Sequence, residues 1–191
     1  MSYYSEGELA EIGFKCIGKN VRLSRKASIY NPAAIEVGSN VRIDDFCVLS
    51  AGRGGIAIGD YVHIAIYSSI MGDGRVVLES FCNISSRVAI YSSNDDYSGM
   101  TLTNPTVPPR YRNVQVGDVY FDKHCIVGAC SVILPGVTLE QGVAIGALSL
   151  VKNNCTEFGI YAGSPAKKIK DRKKDLLELE RSLLNDCSIK S

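Results

Sequence analysis

The chain has 191 residues, 46% of them apolar, and a formal net charge of +1. That length fits one domain plus a small appendage, and the near-neutral charge leaves no basic footprint for nucleic acid. No apolar stretch approaches the length of a membrane span. The segment from Met1 to Gly13, with Glu6, Glu8 and Glu11, lacks the apolar run of a secretory signal, so a cytoplasmic location is expected.

In chain order, Ser5 and Glu8 have the spacing of a capping box. They predict a short helix ending near Gly13, and residues 1–13 are read as an N-terminal cap. A six-residue beat of apolar residues then begins. Its sets are Ile17, Leu23, Ile29; Val37, Ile43, Leu49; Ile58, Ile64, Ile70; and Leu78, Ile84, Ile90. Neither a helix nor an ordinary strand has this period, which is the mark of a parallel β-helix. Three hexads make one turn of a triangular prism. Between sets the beat slips by two, three and two residues, so the insertions share one corner. A long segment without repeats, 91–120, should leave the prism at that corner. The beat resumes at Phe121 and runs through Val127, Ile133, Leu139, Ile145 and Val151. Val116-Gly117 looks like a repeat start but lies one residue out of register.

The predicted class is therefore all-β. A parallel β-helix spans 14–156, with loop 91–120 protruding, and 157–191 form a turn and a C-terminal α-helix. The stripe of Leu176, Leu179 and Leu183, widened by Leu177 and Leu184, suits packing on a neighbouring coil or subunit. Asp171 is placed to cap that helix. A terminal coil exposes an unpaired strand edge, which such end elements cover.

Chemistry-bearing residues are few. Of seven cysteines, Cys47, Cys82 and Cys125 occupy the small inward position of their hexads and read as buried free thiols. There are two histidines. His63 closes a hexad beside a corner and points away from the interior. His124 reads as a surface or turn residue. Histidine is the side chain best suited to take a proton near neutral pH. The loop carries Tyr91, Asn94, Asp95, Asp96, Tyr97, Arg110, Tyr111 and Arg112, and an irregular segment of that length points to a site. No third ligand stands near Asp95 and Asp96, so no metal is expected.

Ile133-Leu134-Pro135-Gly136-Val137-Thr138, Ile145-Gly146-Ala147 and Ala162-Gly163-Ser164-Pro165-Ala166, with the hexads and the loop, resemble the hexapeptide-repeat acyltransferases. The likeness covers residues 14 to 170. It is nearest to the galactoside, maltose and nodulation-factor acetyltransferases and the sugar acetyltransferases of capsule and O-antigen pathways. The resemblance implies a left-handed β-helix, a homotrimer, and transfer from acetyl-coenzyme A to a sugar or sugar-nucleotide hydroxyl or amine between subunits, in cell-surface polysaccharide synthesis. It places Ala129 and Ala147 along the pantetheine arm, Lys152 and Asn153 near the phosphates, and Lys168 near the nucleotide end. Tyr67, Asn94, Tyr97 and Arg110 are the residues expected to face the acceptor.

One departure matters. The family's loop histidine, counted from Val88 and Ile90, falls on Asp95 here. Either His63 is the base, oriented by Asp95 or Asp96, or the acceptor is an amine for which a loop carboxylate suffices. Direct transfer is expected, with a backbone amide on the oxyanion and no role for Cys125 or Cys130 as nucleophile. The alternative reading is a catalytically inactive trimeric binding protein or scaffold.

Overall fold

The structure, a computed structural model, describes residues 2–189, with side chains to residue 186. Short strands stack into three parallel sheets, the faces of a left-handed triangular β-helix. The first face runs from Cys16–Ile17 through Ile56–Ile58 to Thr138–Leu139. The second runs from Arg22–Leu23 through His63–Ile64 and Ala144–Ile145 to Gly159–Ala162. The third runs from Ser28–Tyr30 through Ala89–Tyr91 to Leu150–Val151.

The six-residue beat is the core. On the second face Ile43, Ile64 and Ile84 pair in register from coil to coil, and Val127 follows. All four are 1% exposed or less. Burying such a side chain is worth about 1.5–3 kcal/mol, and each coil repeats the gain. Cys47, Cys82 and Cys125 sit buried between these ladders. Burial pushes the Cys47 thiol up to about 11. Its Sγ donates to the Ala65 carbonyl at 3.2 Å, as suits an inert thiol.

Two corners turn through left-handed backbone. At the first corner Asn20, Asn40, Tyr61, Phe81 and His124 have φ between 56° and 67°, and at the second Phe46, Tyr67, Arg87, Cys130 and Leu148 lie between 58° and 63°. Such a φ costs a non-glycine residue about 1–2 kcal/mol. Stacking along the corner offsets it. Tyr61 and Phe81 stack at 5.0 Å between ring centroids, and so do Phe46 and Tyr67.

The third corner takes the insertions, as the slips predict: a 3-10 turn at Pro32–Ala34, short turns near Arg53 and Gly74, and the long loop. Val116 is not a repeat start. Gln115–Val116 pairs antiparallel with Ser93–Asn94 and zips the loop's base, which explains its odd register.

At the N-terminus the helix α1 (Glu6–Glu11) carries both halves of the Ser5–Glu8 capping box, with Leu9 buried beneath it. The C-terminal end differs from expectation. The last second-face strand, Gly159–Ala162, is followed by an antiparallel strand, Lys167–Asp171, not by a helix. Asp171 therefore lies in that strand and caps nothing. The helix α2 begins later, at Leu176–Ile189, where Asp175 accepts from the Glu178 and Leu179 amides. Among the described residues, no helix is long and apolar enough to cross a membrane.

Candidate active site

Two surfaces flank the second corner. One is a strip of small residues along the second face, termed the groove below. Alternation buries Ile64, Ile84 and Val127, so their neighbours His63, Asn83 and Ile126 turn outward. Backbone hydrogen bonds stack Asp44, Ala65, Ser85, Gly128 and Gly146 in one row along the axis. The C-terminal end of that row has no side chains beyond hydrogen. A Cβ at Gly128 would come 2.4 Å from the Ala147 nitrogen, so the close stacking of coils itself requires glycine there. Ala129 and Ala147 follow Gly128 and Gly146 on the rim of this bare floor.

Toward the N-terminal coils the floor becomes polar at Ser85 and Asn83, and then at His63. Within one chain His63 does not meet a loop carboxylate. Its Nε2 lies 2.9 Å from Oδ2 of Asp44, whose Oδ1 accepts from Arg42 Nε at 2.7 Å. Asp44 is 4% exposed, while the His63 side chain is 39% exposed. Asp44, Asn83 and Ser85 were missed by sequence reasoning. The signal was the coil length of about twenty residues, which stacks a strand residue on its counterpart one coil away.

The second surface is a cleft of ≈ 670 Å³ between the loop and the third face, lined by Tyr91, Asn94, Asp95, Tyr97 and the apolar wall of Val132, Leu134 and Leu150. Asp95 and Asp96 part company here. Asp95 reaches the cleft, its Oδ2 accepting from the Asn104 amide at 3.2 Å. Asp96 is buried and accepts from the Ser98 amide at 2.8 Å and the Thr101 hydroxyl at 3.1 Å. The Ser98 amide, then its hydroxyl, hold the Asp96 carboxyl below the usual aspartate value. Asp96 thus shapes the loop.

The remaining expected site residues scatter. Arg110 stacks on Tyr111 and lines a separate groove near Met100 and Leu102. Tyr67 lies on the second corner between Phe46 and the Arg87 guanidinium, between groove and cleft. Lys152 and Asn153 are exposed just past the last third-face strand. Lys168 is paired with Asp171 at 2.8 Å on the antiparallel strand. Among the described residues no group of three or more metal-ligating side chains converges.

His124 is not a surface residue. It is 8% exposed and stacks on Phe81 at 5.0 Å, and its Nε2 lies 2.8 Å from Glu180 of α2. Lys123 binds the same carboxylate, and Arg172 donates to the His124 and Gly142 carbonyls. The C-terminal segment is pinned to the first corner by these bonds.

No protein-family model matches the chain. Over 180 residues it is 56% identical to the dTDP-4-amino-4,6-dideoxy-D-glucose acyltransferase of Escherichia coli, a match covering 94% of each chain. The chain belongs to the hexapeptide-repeat sugar acyltransferases. The enzyme is also 31% identical over 167 residues, 80% of each chain, to WbbJ of Escherichia coli K12, whose name refers to O-acetyl transfer in lipopolysaccharide biosynthesis. Its structure is similar to that of AntD, an N-acyltransferase from Bacillus cereus, in complex with dTDP and 3-hydroxybutyryl-CoA. The TM-score is 0.94, with 48% identity and 98% of both chains covered. AntD has also been crystallised with one serine or one aspartate replaced. This chain is an acyltransferase, as its repeats and turn motifs imply.

Proposed function

We propose that the enzyme moves a short acyl group from acyl-coenzyme A to the amine of a dTDP-linked 4-amino-4,6-dideoxy sugar, for cell-surface polysaccharide synthesis in the cytoplasm. The observation that carries this reading is the 56% identity, end to end, with a relative named for that acceptor. The loop agrees with it. An amine needs no strong base beside it, and the loop offers Asp95 where relatives acylating hydroxyls carry histidine. The apolar wall of Val132, Leu134 and Leu150 suits the methyl of a 6-deoxy sugar.

In this reading the bare floor at Gly128, Gly146, Ala129 and Ala147 receives the pantetheine arm, and Lys152, Asn153 and Lys168 receive the phosphates. The thioester then lies where the floor turns polar, at Ser85. Asn94, Asp95 and Tyr97 hold the sugar, and Asp95 accepts a hydrogen bond from its amine. Groove and cleft lie on different faces of one chain. A homotrimer that sets the loop of one subunit over the groove of the next unites them. Exposed apolar side chains along that edge, Phe46, Tyr67 and Leu148, and on the loop, Tyr97, Met100 and Leu102, support this assembly.

The decisive assay is thiol release from acetyl- and 3-hydroxybutyryl-coenzyme A against dTDP-amino sugars, UDP-amino sugars and free sugars. Turnover confined to the dTDP-4-amino sugar is expected, and its absence there overturns the reading. Asp95→Asn should lower kcat/KM by about 10²-fold, while light scattering should give three times the 20.7 kDa chain mass.

A further inference from the structure

We propose that His63 is the proton acceptor of the acyl transfer and that Asp44 is its positioning residue, a role that rests on the acyl-transfer reading above. The first observation is the pair itself. A carboxylate as buried as Asp44 is tolerated only when its oxygens are hydrogen-bonded, and here one oxygen is bound to Arg42 and the other to His63. The Arg42 guanidinium can only donate, so Oδ1 of Asp44 accepts from it. We assign the ring proton to Nε2 on this contact, an arrangement that in the neutral imidazole leaves Nδ1 to accept. The half-exposed ring shows no second partner among the described residues.

The second observation is position. His63 pairs in register with Asn83, and Asn83 with Ile126, two residues before Gly128. At about 4.8 Å per coil, the imidazole stands within roughly two coils of the bare floor. Past Ser85 the only side chain in the floor row before Asp44 is the small Ala65. The strip of small residues thus continues from Ser85 to Ala65, two residues past the histidine.

The chemistry follows in balanced steps. The acceptor amine attacks the thioester carbonyl carbon as Nδ1 of His63 takes an N–H proton. The C–N bond forms, the C–S bond breaks, and the departing thiolate takes the proton from the imidazolium. Amide and free thiol are the products, and His63 returns to its starting tautomer. Asp95, from the loop, orients the amine through a hydrogen bond. Imidazole is well matched to taking a proton near neutral pH.

The test joins steady-state kinetics to ¹⁵N NMR of the two histidine rings, read on the wild type, His63→Gln and Asp44→Asn. Wild-type His63 should show the Nε2–H tautomer. His63→Gln should lower kcat by about 10²–10⁴-fold with KM for acyl-coenzyme A little changed. Asp44→Asn should mix the His63 tautomers and lower kcat by about 10–100-fold, while the His124 signals stay in place as the internal check of folding. Full kcat in His63→Gln, or a tautomer change in Asp44→Asn without loss of kcat, overturns the proposal and leaves the acyl-transfer reading standing. A wild type inert toward every amino-sugar nucleotide overturns that reading, and the proposal with it.

Discussion

His63 and His124 each bring Nε2 within 2.9 Å of a carboxylate, yet their surroundings are opposite. His124 is roofed by Phe81 and held by a carboxylate from α2, a distant part of the chain. His63 is held by the coil beneath it and keeps one side of its ring open to a groove. The same pair therefore serves as a clamp in one place and, in the proposal above, as a proton acceptor in the other. What separates them is where the carboxylate comes from and what covers the second nitrogen. Neither property is visible in a histidine's position within its hexad.

That contrast breaks most sharply on activity. His63→Ala should cost about 10²–10⁴ in kcat with the melting temperature nearly unchanged. His124→Ala should do the reverse, leaving kcat within a few-fold of wild type. It deletes a stacked, buried ring and strands Glu180, so chemical denaturation should show a loss of about 2–4 kcal/mol. Glu180→Gln keeps the shape but weakens the clamp, for about 1–2 kcal/mol in the same measurement.

Acid gives the smallest effect. Burial pushes the Glu180 carboxyl up, but hydrogen bonds from His124 and Lys123 outweigh it and leave it below the ordinary glutamate value. A depressed carboxyl stabilises the fold above its unfolded value, about 4.3, and loses that contribution as pH falls through the folded value. Amide exchange in 176–186 should therefore quicken below that pH before exchange in the coils does. The N-terminal helix offers a control. Glu8 is held down at about 2, first by Arg25 and then by the Ser5 amide, so its cap should persist to lower pH. That pair lies at the surface, and salt should weaken it.

Much of the fold was legible because the coil writes its core into the sequence every six residues. The apolar residues from Ile17 to Val151 mark coils, and the slips between sets located the corner where the loop leaves. Legibility failed where period fails. Lys167–Asp171 is exposed at every residue, so its strand leaves no apolar alternation and reads as a turn. Glu180 meets His124 across 56 residues, a contact with no repeat behind it. In the loop, Asp95 and Asp96 are adjacent and alike in sequence. Only the turn through Ser98 and Thr101 separates the cleft carboxylate from the structural one. Asp44 lies one coil from His63, a pairing across coils that leaves no mark along the hexads themselves.

The corner that collects insertions has a consequence for change over time. In most coils two corners turn through left-handed backbone, several of them under stacked rings, whereas the third carries inserts from the turn at Pro32–Ala34 to the whole loop. In the proposed function, recognition of the acceptor is thereby detached from the scaffold that carries the thioester. A loop grafted at Ser92 and Gly117 would leave the coils unaltered, so on that reading acceptor preference should travel with the loop as a cassette.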